Sequence, residues 1–159
     1  MTREEFELFL IQKETCAQNN RTQSSDEEVL QIYAYILEHE NKDSDWWNED
    51  HGTTDIMYMI KNGSQNILER IKEDIPRWTG FQTELFAQTL ISNDLRDFRV
   101  NERLQFYLEL FETPKSDCDL YNIFHDHAYL DLEFADHELL IKLAKNLNYS
   151  SVEELMKLR

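Results

Sequence analysis

The residues best suited to chemistry lie in one stretch, "HDHAYLDLEFADHE", which holds His125, Asp126, His127, Asp131, Glu133, Asp136 and His137. Imidazoles and carboxylates are the ligands of catalytic metal sites and the groups of acid–base catalysis. Spacing decides against both here. Two histidines share an ion when they stand at i and i+4 of one helix, as in HExxH. His125 and His127 are two apart, so on a helix they point about 200° apart. On a strand they would share a face, but the rest of the segment does not read as a strand. Polar residues around a helix end and a loop are expected instead. His51 follows Glu49 and Asp50 and has the carboxylate partners of a general base, yet no nucleophile in a recognisable context accompanies it. Ser24, Ser25 and Ser64 read as caps or turn formers. There is no P-loop, GxGxxG or GxSxG, and with 3 glycines a phosphate-cradling loop has little to be built from. No enzymatic activity, metal or cofactor is expected.

A second constellation suits binding. The stretch "NKDSDWWNEDHG" over 41–52 sets adjacent tryptophans in acidic surroundings and is expected to be a loop. Tryptophan removes a large area from water while freezing only two torsions, which makes it a frequent anchor at interfaces. Trp46 and Trp47 are the candidate anchors. Asp43, Asp45, Glu49 and Asp50 form a rim able to steer a basic partner. In the structural alternative, one tryptophan fills the core between the flanking helices and the other stays at the surface. Tyr129, Asp131 and Glu133 form a second candidate patch.

Formal net charge is −16. Phosphate binding requires Lys and Arg to release counterions, so direct contact with nucleic acid is not expected. Anionic membrane surfaces are repelled for the same reason. Residues 1–60 hold 14 acids and 4 bases, residues 61–103 hold 7 of each, and residues 104–159 hold 11 acids and 5 bases. A near-neutral middle lies between acidic ends. A basic protein is the partner this distribution favours. The start, "MTREEFELFLIQKE", places acids where a secretion signal has its basic region, and no apolar run approaches the ~20 residues of a membrane span. A cytoplasmic protein with Cys16 and Cys118 as buried free thiols is expected.

The elements that must position these residues read as helices. Phe6, Phe9, Leu10 and Lys13 give a first helix over 2–18. Ser25 with Glu28 reads as a capping box before Val29, Ile32, Tyr33, Ile36 and Leu37. Thr53 or Thr54 can cap a third helix, which Gly63 stops as a C′ residue. Ser64 starts a fourth, which ends before Pro76, and Trp78 is expected to pack over the junction that follows. Thr79 and Gln82 form a further capping box. Asn93 or Asp94 opens a longer helix through Leu95, Phe98, Leu104, Tyr107, Leu108 and Phe111, with Arg96, Arg99 and Arg103 on its solvated face. Asp117, Asp136, and Ser150 with Glu153 cap the last three. "AYLDLEFAD" also alternates as a short strand would. Scarce Gly and Pro argue against a β-sandwich. One all-α domain over 1–159 results, with eight or nine short helices in antiparallel hairpins, as a bundle or a short HEAT-like stack.

The acid-aromatic "DSDWWNED", the stretch "DHAYLDLEFAD", the all-helical patterning and the lack of a catalytic motif together resemble the small acidic immunity proteins that bacteria encode beside polymorphic or contact-dependent toxins. The likeness spans the whole chain. It implies a cytoplasmic protein that binds a cognate toxin domain, often a basic nuclease, and blocks its active site. Alternatives of other classes are a nucleic-acid mimic occupying the DNA site of a DNA-binding protein, a metal-dependent enzyme built on His125 and His127, and a structural helical adaptor.

Overall fold

Thr2 opens the chain with a reciprocal cap. Its hydroxyl accepts from Glu5 N (3.2 Å), and the Glu5 carboxylate accepts from Thr2 N (2.7 Å). The computed structural model describes residues 1–157, apart from the Asp50 side chain. The first helix ends early: α1 spans Arg3–Gln12 and α2 spans Glu14–Asn19, with Lys13 outside helical geometry between them. Packing accounts for this break in the expected 2–18 helix. Phe6 and Cys16, ten residues apart, would lie about 80° apart on one continuous helix. Both are buried against α3 (Glu27–His39) once the chain breaks.

The connection to α3 is no tight turn. Met1 N donates to Glu27 O, the Phe6 ring meets Tyr33, and the Cys16 thiol donates to Leu37 O. The α1–α2 pair therefore runs parallel to α3. Residues 20–26 return outside any helix, with Asn20 and Asp26 extended at the two ends. Seven residues at full extension reach roughly 23 Å, enough to span the roughly 20 Å of a 13-residue helix. The cap of α3 is Asp26, one residue beyond the expected Ser25. Its carboxylate accepts from Glu28 N and Val29 N, both at 3.0 Å. Glu28 is thereby released from capping and takes Ser64 N (2.8 Å) and Ser64 Oγ (2.5 Å) across the fold.

That bond brings the start of α3 to the end of α4 (Gly52–Asn62), while Tyr35 meets Asp55 near the start of α4. These two helices are antiparallel. Gly63 ends α4 in an extended conformation, φ −80°, rather than the left-handed one expected. Neither Thr53 nor Thr54 caps α4; the Thr54 hydroxyl donates to Asp94 Oδ2 at 2.9 Å. α5 spans Ile67–Asp74, beginning three residues after Ser64, and passes into a 3₁₀ turn at Ile75–Arg77. Trp78 is buried at that junction as expected, its indole donating to the buried Asp74 at 2.8 Å.

The Thr79–Gln82 capping box is present and opens α6 (Gly80–Ile91). Ten of the twelve α6 residues are buried, so α6 is the element around which α3, α4, α7 and α8 pack. Its first residue is a glycine because Asp117 lies against that position, where a β-carbon would overlap it. α7 spans Val100–Leu110, shorter than the helix expected from Asn93. α8 (Leu120–His127) is capped by Asp119, which accepts from Asn122 N at 3.0 Å, rather than by Asp117. α9 (His137–Asn146) begins after Asp136, but the Asp136 side chain makes no capping hydrogen bond, so the expected cap is absent there. α10 (Val152–Met156) is capped by Ser151, whose hydroxyl accepts from Glu154 N, in place of the expected Ser150–Glu153 box, while the Glu154 carboxylate accepts from Ser150. The described residues form an all-α fold with one contiguous core and no strand. The alternating stretch 128–136 is an extended strap. Tyr129 N and Leu130 N both donate to Ile91 O, Asp131 N donates to Arg96 O, and a 3₁₀ turn follows at Leu132–Phe134.

Candidate protein-binding surface

The tryptophan segment is helical rather than a loop. Asp43 caps it, its carboxylate accepting from Trp46 N at 2.9 Å. The Asn48 side chain donates to Ser44 O at 2.9 Å. Trp46–Asp50 then form a π-turn, closed by His51 N donating to Trp46 O at 2.9 Å. A π-turn inserts one extra residue into the helical path and occurs often at functional sites.

The turn sends the two indoles to different places. Trp47 is 1% exposed, and its Nε1 donates to His39 O at 3.1 Å, closing the end of α3. Its ring packs so closely on Gly52 that a β-carbon there would overlap it. Trp47 is therefore a core residue, and the expectation that it anchors a partner is corrected. A fully buried indole has no area left to remove from water.

Trp46 is half-buried and stays at the surface. Its ring stacks on His39 (4.8 Å, 17°) and Tyr35 (6.2 Å, 23°), and meets Trp47 edge-on (5.5 Å, 79°). The Lys42 ammonium lies 5.9 Å from its centroid. These contacts fix the ring, so little rotamer entropy remains to be lost on binding. Asp43, Asp45 and Glu49 are exposed around it; the Asp50 side chain lies outside the described residues. Two neighbouring acids do other work: Glu38 pairs with Lys13, and the buried Glu40 takes the side-chain amides of Asn19 and Gln82.

The second patch sits on the 128–136 strap. Tyr129 is 59% exposed, Glu133 is exposed, and Asp131 is half-buried, 3.6 Å from Arg96. Sequence reasoning missed what positions it. Residues 92–99 form a turn-rich loop in which Leu95 and Arg99 take φ of 49° and 50°, values that side chains disfavour. Arg103, expected on a solvated face, is 1% exposed and holds the loop together. Its guanidinium donates to Leu90 O, Ser92 O, Leu95 O and Phe98 O at 2.8–3.2 Å. The same loop receives the Thr54 hydroxyl through Asp94 and the Asp131 amide through Arg96 O. One loop thus connects the start of α4, next to the tryptophan turn, with the second patch.

Among the described residues no three metal-ligating side chains converge. His125 is exposed beside the Tyr149 hydroxyl (3.1 Å), and His127 ends α8. The half-buried Cys118 thiol is pushed up to about 12 by burial, with Glu84 adding to the shift, which suppresses the nucleophilic thiolate. Lys115 directs its ammonium to Ile75 O, Trp78 O and the Thr83 hydroxyl at 2.7–2.8 Å and serves as a structural tie. No family model, no curated protein and no solved structure matches the chain.

Proposed function

We propose that the protein is an inhibitor of the immunity type, which binds a cognate basic toxin domain, in the first instance a nuclease, and acts in the cytoplasm. Trp46 carries this reading. It is an aromatic ring held rigid by His39 and Tyr35, half-open to solvent and ringed by the exposed carboxylates of Asp43, Asp45 and Glu49. A preorganised aromatic anchor within a charged rim is the arrangement that hot spots of tight complexes share. The net charge of −16 supports a partner of opposite sign, since a nuclease presents a basic cleft to phosphate. The patch of Tyr129, Asp131 and Glu133 extends the same chemistry.

The test is capture of partners on the immobilised protein at low salt, with a salt titration of what binds. One basic protein held stoichiometrically, with affinity falling as salt rises, is the expected result. Trp46→Ala should weaken that complex by about 2 kcal/mol while leaving the helical signal unchanged. Trp47→Ala should instead cost about 3–5 kcal/mol of folding stability. Retention of several DNA-binding proteins would favour the nucleic-acid mimic. A partner indifferent to both salt and Trp46 would favour the adaptor.

A further inference from the structure

Between α3 and α4 lies a groove of about 400 Å³, within the size range of ligand clefts. Its lining is apolar at depth, where Ile32 is buried and Met59 half-buried. Tyr35 and the 47%-exposed Tyr58 stand nearer the solvent. Glu28 and Asp55 add carboxylates, and these two differ in state. Glu28 is occupied by Ser64 and by the Arg70 guanidinium. Asp55 takes the Tyr35 hydroxyl on Oδ2 at 2.5 Å, while its Oδ1 has no hydrogen-bond partner among the described residues.

The groove thus presents one open carboxylate oxygen beside two phenol rings, with Tyr58 one turn from Asp55 on α4. An anion would be repelled, and a neutral group would leave the charge uncompensated. A guanidinium satisfies both features, because its N–H groups donate to the carboxylate while its plane rests on an aromatic face. The surface already handles its own cations in this way: the Lys61 ammonium lies 5.8 Å from the Tyr58 centroid, and Arg70 grips Glu28. Tyr35, which lines the groove, also stacks on Trp46, so the groove wall adjoins the aromatic anchor.

We propose that the α3–α4 groove receives an arginine side chain of a basic protein partner, with Asp55 as its acceptor and Tyr58 as its stacking face. The inference rests on the partner reading above and names the group recognised beside Trp46. The probe is an acetylated hexa-arginine peptide, with hexa-lysine as the control for charge alone, titrated into ¹⁵N-labelled protein at low salt. Amide shifts at Tyr35, Asp55 and Tyr58 are expected on arginine addition. Asp55→Asn should weaken the arginine peptide about tenfold, the scale of one charge-assisted contact, and affect the lysine peptide less. Tyr58→Ala removes an exposed side chain without touching the core and should weaken the arginine peptide about threefold, the scale of an exposed cation–π contact. Unchanged arginine affinity in both variants would overturn the proposal. If the shifts gather at Trp46 and Trp46→Ala alone weakens binding, the groove assignment fails and the partner reading stands. If neither peptide shifts any amide of the acidic surface, both fail.

Discussion

Position 52 must be a glycine because an indole lies against it. In an ordinary helix, alanine is favoured over glycine by up to about 1 kcal/mol. At Gly52 a β-carbon would enter the space of the Trp47 ring, and forcing an extra carbon into a packed site costs about 1–3 kcal/mol. Overpacking wins, so Gly52→Ala should lower the urea midpoint and perturb the near-ultraviolet signal of the tryptophans. An unchanged midpoint would show that the ring can step aside. The acidic residues teach a related lesson. In sequence, Glu38, Glu40, Asp43, Asp45 and Glu49 look alike. In the fold, Glu38 is paired, Glu40 is buried, and Asp43 also caps a turn. Asp45 and Glu49 remain as exposed members of the rim. The residue types of the candidate site were legible; which carboxylates stay free was not, because their partners come from Lys13, Asn19 and Gln82, distant along the chain.

At the scale of elements, helices were legible wherever a local signal fixes them. The Thr79–Gln82 box and the apolar stripe of α3 need only neighbouring residues, and both stand as read. The errors share a cause in tertiary demands. The 92–99 segment has a helical apolar period, yet its carbonyls turn inwards to Arg103, and Leu95 and Arg99 take left-handed backbone to allow it. Burial pulls the pKa of Arg103 down to about 10, a cost of roughly 3 kcal/mol. Arg103→Met would relieve that cost but leave the Leu90, Ser92 and Phe98 carbonyls short of a donor, at about 1–3 kcal/mol each, while Leu95 O keeps the Phe98 amide. The carbonyl term is larger, so a net loss of about 3 kcal/mol is expected from urea unfolding. The amides of Tyr129 and Asp131, tied to Ile91 and Arg96, should shift in the same variant. If they stay in place, the loop does not depend on Arg103. The π-turn was illegible for a different reason: the pair Trp46–Trp47 divides between surface and core only once α3 and Gly52 are in position.

For the molecule as a whole, several buried or half-buried acids hold their protons. Burial pushes Tyr33 and Cys118 up to about 12, and raises Tyr35 and Tyr107 as well, with the Asp55 bond adding to the shift at Tyr35. The unfolded chain releases these protons from about pH 9 to 10, so in that range the native state binds more protons. Stability is then fully present below pH 9 and declines as pH rises towards 12. Urea midpoints measured between pH 8 and 11.5 should fall, and Cys118→Ala should remove part of the earliest fall, the rest belonging to the Cys16 thiol, which burial also raises. A flat profile would show that these groups titrate freely in the folded protein. The parallel run of α1–α2 beside α3 has a consequence in time. The return over 20–26 is fastened by Asp74, which accepts from the Thr22 hydroxyl and from Gln23 N. During synthesis from the N-terminus, Thr22 leaves the ribosome 52 residues ahead of its partner. At roughly 5–20 residues per second, the wait is on the order of 3–10 s. The segment joining α2 to α3 is thus made seconds before the carboxylate that fastens it, and it waits untied until Asp74 arrives.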